Sequence, residues 1–136
     1  MTQDTISRPD EDILEDIHAL MSTYPPLQHD RRALAIRVER GVVTVAGYIK
    51  ASPTYRYLKS TLPHIKGIRY INADDLYEDD VIRLDVGKVV PLGIQVRVEY
   101  GAIVLTGHLP ESLSAKDVVK QVALVKGVQR VLTAFA

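Results

Sequence analysis

The chain has 136 residues, 46% of them hydrophobic and 25% charged, with 17 basic and 17 acidic side chains that leave no formal net charge at neutral pH. These are ordinary globular values, so neither a disordered nor a fibrous chain is expected, and nothing in the whole-chain charge calls for nucleic acid. The absence of cysteine excludes disulfides, thiolate zinc sites and a cysteine nucleophile together.

Taken in chain order, the first stretch, Met1 to Asp16, is rich in Asp and Glu and carries Arg8 as its one basic residue. That pattern is the reverse of a basic, then apolar secretory leader, so the cytoplasm is the expected location. Residues 1–9 are expected to be a flexible terminus. The triplet Asp10-Glu11-Asp12 suits a helix N-terminus, and Ile13, Ile17, Leu20 and Met21 follow at helical spacing. A connection of roughly ten residues then leads to Ile36.

From Ile36 to Gly47 apolar and polar residues alternate around Gly41, which predicts two short antiparallel strands joined at Arg40-Gly41, where a tight hairpin needs positive φ. A helix follows, with Pro53 in its first turn and Tyr55, Leu58 and Leu62 on one face, cut short at Pro63. Tyr55 and Tyr57, two residues apart on that helix, are not expected both to face inward. Ile68 to Leu76 reads as a third strand.

The acidic stretch Asp74-Asp75-Leu76-Tyr77-Glu78-Asp79-Asp80 reads as a solvated connection, with Asp79 and Asp80 capping the next helix, Asp79 to Val90. It lacks the spacing of a calcium loop. After Pro91-Leu92-Gly93 the pattern returns: a hairpin from Val96 to Gly107 turning at Tyr100-Gly101, a helix from Ser112 to Val125 with Ser114 as N-cap, and a strand from Val128 to Phe135.

Ile36–Gly47 aligns with Val96–Gly107 without a gap at an offset of 60, and over Ile36 to Ala73 eight positions are identical, Arg37, Val38, Glu39, Gly41, Gly47, Ser52, Lys66 and Gly67 with their partners. Self-similarity of this kind predicts a repeated architecture. The expectation is an α+β protein of two tandem α-β-β-α-β units, residues 10–76 and 77–136, each a three-stranded sheet with two helices on one face. Gly41, Gly47 and Gly67, with Gly101, Gly107 and Gly127, are the expected structural turns.

This order of elements resembles the BON domain (bacterial OsmY and nodulation). The motifs that carry the resemblance are Gly41 to Gly47 with Gly67 to Ile71, and Gly101 to Gly107 with Gly127 to Val131. The resemblance implies a non-enzymatic module, with no catalytic residues to carry over. The family's roles are phospholipid-membrane attachment, envelope stress protection, pore or secretin assembly and, in one cytosolic group, potassium binding. Export and a LysM domain mark different branches of that family, and neither is expected here.

The residues themselves point the same way. His18, His29, His64 and His108 are scattered without a metal-ligand spacing, no Gly-x-Ser-x-Gly elbow frames a serine, and neither glycine-rich phosphate motif occurs. No enzyme, cofactor or metal site is therefore expected. A potassium ion held by backbone carbonyls would leave no sequence signature, so a small-ligand or potassium sensor stands as the alternative function.

Charge is segregated along the chain: residues 1–30 carry −6, residues 31–70 +8, residues 71–85 −5 and residues 86–136 +3. The basic segment interleaves Arg and Lys with tyrosines, a mixture suited to an anionic lipid surface or an acidic protein partner. Nucleic acid is the less favoured partner, and neutralisation by the chain's own acidic segments is the bland alternative. Arg31, Arg32, Lys50, Tyr55, Arg56, Lys59 and Lys66 are the candidate partner-binding or lipid-binding residues.

Overall fold

A computed structural model describes residues 8–136; the expected flexible terminus, apart from Arg8 and Pro9, lies outside them. The protein is α+β and divides into two compact units, the first ending at Leu76 and the second spanning Tyr77–Ala136.

In the first unit α1 (Asp10–Thr23) buries Ile13, Ile17 and Met21, the stripe its spacing predicts. The connection to the sheet is not a loop. It holds a short helix α2 (Pro25–Asp30), which starts on two prolines and buries Leu27, and then a 3₁₀ turn (Arg31–Ala33). Strands β1 (Leu34–Glu39) and β2 (Val42–Ile49) form the hairpin, α3 (Ser52–Thr61) crosses back, and β3 (Tyr70–Asn72) pairs in parallel with the start of β2. Val43 and Val45 of β2 join Ile13, Ile17, Met21, Leu27, Leu58 and Leu62 in one core, so the helices cover the face of the sheet that bears these valines.

The expected third strand, Ile68 to Leu76, is broken. β3 pairs with only Val42–Thr44 of the eight-residue β2, the chain turns, and β4 (Leu76–Glu78) takes up pairing with β2 again, so this sheet has four strands. At the break Asp74 N–H donates to the Asn72 side chain, and Asp75 carbonyl accepts from Gly47 N–H at 3.0 Å. A side chain that satisfies the backbone locally in this way competes with the strand ladder.

The second unit runs α4 (Asp79–Gly87), β5 (Ile94–Glu99), β6 (Ala102–Gly107), α5 (Ala115–Ala123) and β7 (Arg130–Phe135). Its sheet has three strands, β5-β6-β7, with β7 continuous and parallel to β6 over six residues. Ile82, Val86, Ile103, Leu105, Val118 and Val122 are buried. Ser114 caps α5 as expected, accepting from Asp117 N–H at 3.1 Å. Gly87 ends α4 rather than lying within it, and Val89 is left 41% exposed beyond the helix.

The two hairpins share one register at the offset of 60: Leu34↔Gly47 through Glu39↔Val42 becomes Ile94↔Gly107 through Glu99↔Ala102. Both turns have two central residues in the left-handed region, Arg40 (φ 52) with Gly41 (φ 80) and Tyr100 (φ 47) with Gly101 (φ 82). This is the twist that a two-residue hairpin loop requires. At the far end of each hairpin a Cβ on Gly47 would stand 2.0 Å from the Ala33 carbonyl oxygen, and one on Gly107 2.1 Å from that of Gly93.

Each turn is held by a carboxylate from the start of its unit's first helix. Asp10 accepts from Arg40 N–H at 2.8 Å and Gly41 N–H at 3.0 Å; Asp79 accepts from Tyr100 N–H at 2.7 Å and Gly101 N–H at 3.1 Å. Successive amides in such a turn make a concavity that suits an anion. Asp79 therefore does not cap α4, as its position suggests. The cap position is Glu78, which makes no side-chain capping bond, and Asp79 is 5% exposed because the hairpin turn closes over it.

Removing these contacts has a predictable cost. Asp79→Ala leaves two amides without their ionised acceptor in a buried setting and should destabilise by roughly 2–4 kcal/mol, and the more exposed Asp10→Ala by roughly 1–2 kcal/mol. Gly47→Ala and Gly107→Ala should each cost more than about 3 kcal/mol, because a positive φ is combined with a clash against backbone. Urea unfolding followed by circular dichroism measures all four, and wild-type midpoints for both Asp variants would rule out the carboxylate contacts.

Candidate cationic interface

The seven candidate residues all lie in the first unit, around β2 and the crossover through α3. Arg31 and Arg32 are exposed in the 3₁₀ turn that follows α2. Asp30, buried at 2% exposure, accepts from Lys50 N–H at 3.2 Å, which brings the end of α2 against the end of β2 and groups Arg31, Arg32 and Lys50. Arg56 and Lys59 are exposed on α3, with Lys59 Nζ 5.5 Å from the centre of the Tyr55 ring, within reach of a cation–π attraction.

Lys66 is exposed at the other end. Its turn approaches the hairpin loop, since a Cβ on Gly41 would lie 2.8 Å from the Gly67 carbonyl oxygen. Lys50 follows the last residue of β2 and Gly41 precedes its first, and eight strand residues at about 3.3 Å each separate the two ends by roughly 23 Å. The candidates therefore form a stripe along the crossover rather than one cluster.

Tyr55 and Tyr57 are both half-buried and both pack on the core, contrary to the expectation that one of them faces solvent. The reason is α2, which is not evident from sequence. Tyr24 at its start stacks on Tyr57 with ring centres 3.8 Å apart and planes at 5°, so Tyr57, one position before the buried Leu58, is covered on the flank of α3. An offset or stacked aromatic pair adds to the burial it accompanies.

Among the described residues, the side chains of Arg31, Arg32, Arg56 and Lys66 make no ion pair. Asp16 in the middle of α1 is engaged elsewhere: Arg8 Nη1 contacts it at 2.6 Å and donates to the Lys66 carbonyl at 3.1 Å. The Arg8 pKa is raised above its ordinary value, chiefly by that hydrogen bond to Asp16. No described group of three or more His, Asp or Glu side chains is placed to hold a metal ion, and no described helix is long and apolar enough to cross a membrane.

Comparison with known proteins adds the following. Residues 78–135 match the BON domain family. No curated protein matches the chain. Among solved structures, the C-terminal domain of CdsD, the structural protein of the type III secretion system of Chlamydia trachomatis, superposes with a TM-score of 0.76 at 18% identity, covering 94% of this chain and 66% of that one. A second CdsD structure gives a TM-score of 0.67 at 18% identity, covering 94% and 63%. The chain thus spans slightly under two thirds of each. At this identity the likeness is one of fold.

Of the stripe residues, Arg56 and Lys59 are exposed on α3 and outside the core. Arg56→Glu with Lys59→Glu should change stability by less than about 0.5 kcal/mol per site, as exposed substitutions do. Tyr57→Ala on the same helix should cost roughly 1–3 kcal/mol through the lost stack and burial. Thermal melts of the two variants provide the check, and a large loss in the charge-reversed protein would reassign those side chains to the fold.

Proposed function

We propose that the chain is a non-catalytic docking module built of two BON-like units, whose first unit attaches to an anionic surface, foremost an anionic membrane, through Arg31, Arg32, Lys50, Arg56, Lys59 and Lys66, with Tyr55 beside them. One observation carries this reading. In a chain with no net charge, Arg31, Arg32, Arg56, Lys59 and Lys66 stand exposed along the crossover, and Arg31, Arg32, Arg56 and Lys66 have no described acidic partner. Neutralisation within the chain, the bland alternative, would have the acidic helix start and linker turned toward these residues. Asp10 and Asp79 instead face backbone amides, and Asp16 faces Arg8.

The first unit's likeness to the second in hairpin register and turn geometry supports counting it as BON-like, although the family match falls on residues 78–135. An acidic protein partner is the second reading. It is favoured by the fold shared with CdsD, a structural protein of a secretion system.

Cosedimentation with phosphatidylglycerol vesicles tests the membrane reading. Each Lys or Arg near an anionic leaflet contributes on the order of 1 kcal/mol, so Arg56→Glu with Lys59→Glu should weaken binding more than about tenfold. Lys116→Glu with Lys120→Glu in the second unit should matter less. Binding should also fall steeply with salt, since exposed charges are screened over about 8 Å at physiological ionic strength. No binding at low salt, or binding indifferent to Arg56 and Lys59, removes the membrane reading and leaves the protein partner.

A further inference from the structure

The outer edge of β1 is a feature of the first unit that the membrane reading does not use. β1 lies at the end of its sheet, and among the described residues it pairs only with β2. The two-residue loop makes Glu39 and Val42 a hydrogen-bonded pair, so the backbone groups of Arg37 and Glu39 point to β2 and those of Ile36 and Val38 point away from the sheet. A groove of about 1080 Å³ borders this strand and runs from it over the solvent side of the hairpin to Arg69 and Tyr70, beyond β2. Leu14 of α1, Ile36 and Val38 give it an apolar side. Arg37, Arg40 and Arg69 give it a cationic one, opposed only by Glu39 among its lining residues.

Local structure holds the arginines there. Arg40 is in the left-handed turn and Arg37 lies on the solvent side of the sheet, across from Thr44. Arg69 N–H donates to the Gly41 carbonyl at 2.8 Å, and the Arg69 stem lies over Gly41, 2.9 Å from where a Cβ would sit. All three side chains are exposed, and none has an ion pair among the described residues. Tyr70, 62% exposed, borders them.

We propose that this groove receives an extended acidic segment of a partner protein, which adds as a further strand to β1. The free backbone groups of Ile36 and Val38 supply the ladder, as in other cases of strand addition to a sheet edge. Because side chains alternate across a strand, an incoming segment of alternating acidic and apolar residues sets its carboxylates on the side of Arg37, Arg40 and Arg69 and its apolar groups against Leu14, Ile36 and Val38. A second copy of this chain is a poorer match, because its β1 would bring Arg37 together with Glu39, and its β5 Arg97 together with Glu99, and so no net negative charge to this cationic side.

The second unit provides a built-in control. It has the same hairpin register but carries Tyr100 and Gln129 where the first unit has Arg40 and Arg69, and Gln129 N–H makes the same 2.8 Å bond, to Gly101. Replacing Arg40→Tyr with Arg69→Gln therefore installs residues that this backbone already accommodates.

The test is fluorescence anisotropy of the full chain with a labelled peptide alternating aspartate and valine over six residues. Saturable binding is expected, weakened at least tenfold by Arg40→Tyr with Arg69→Gln. N-methylation of alternate peptide amides should weaken binding at least tenfold in one phase of the alternation and less in the other. Arg56→Glu with Lys59→Glu should leave peptide affinity within twofold, so loss of the membrane reading and loss of this one are told apart. Absence of saturable binding overturns the proposal. So does equal affinity in the Arg40/Arg69 variant, or equal tolerance of both N-methylated peptides, which would mean charge attraction without strand addition.

Discussion

Both units depend on the carboxylate that joins the start of the first helix to the hairpin turn. A two-residue loop with a non-glycine residue at positive φ carries a conformational cost, and Arg40 and Tyr100 both bear it. Asp10 and Asp79 offset that cost by accepting two adjacent amides each. The same contact fixes where the helix begins relative to the sheet, and with it which apolar side chains can meet Val43 and Val45 in one unit, or sit with Ile103 and Leu105 in the other.

That constraint is indifferent to what lies between its ends. The acceptor and the turn are 30 and 31 residues apart in the first unit but 21 and 22 in the second. The first unit absorbs the difference in a 14-residue α1, against nine residues in α4, and in a connection long enough to hold α2. Its extra helix widens the core with Leu27, and Tyr24 at its start covers Tyr57 on α3. Arg56 and Lys59 therefore ride on a helix held by the core and by this stack, and the second unit, without that extra helix, has a smaller set of basic residues on its crossover.

Much of this is legible in the sequence because the hairpin repeat is gapless. Ile36, Val38, Val43 and Val45 alternate with polar residues, Gly41 and Gly101 mark the turns, and an offset of 60 carries one register onto the other. The carboxylate contact is hidden for two physical reasons. An acidic residue at a helix start already has an adequate explanation in the helix dipole, and Asp10 and Asp79 do not align at the repeat's offset. Helix α2 is hidden because six residues opening on two prolines show no periodicity, and the break after Asn72 depends on a side-chain bond to Asp74. Charge segregation was readable for the interface, but its geometry was not. Which basic residues lack an acidic neighbour, and that Arg37, Arg40 and Arg69 line one groove that borders a free strand edge, follow only from the pairing of the strands.

The central claim is that two units of one architecture divide their roles, with attachment to anionic partners confined to the first. Amide chemical-shift mapping of the full chain during titration with phosphatidylglycerol bicelles tests it most directly. The account predicts shifts concentrated in residues 31–70, with the structurally equivalent residues 91–130 little changed. Shifts concentrated in residues 91–130, or spread evenly over both units, would contradict it.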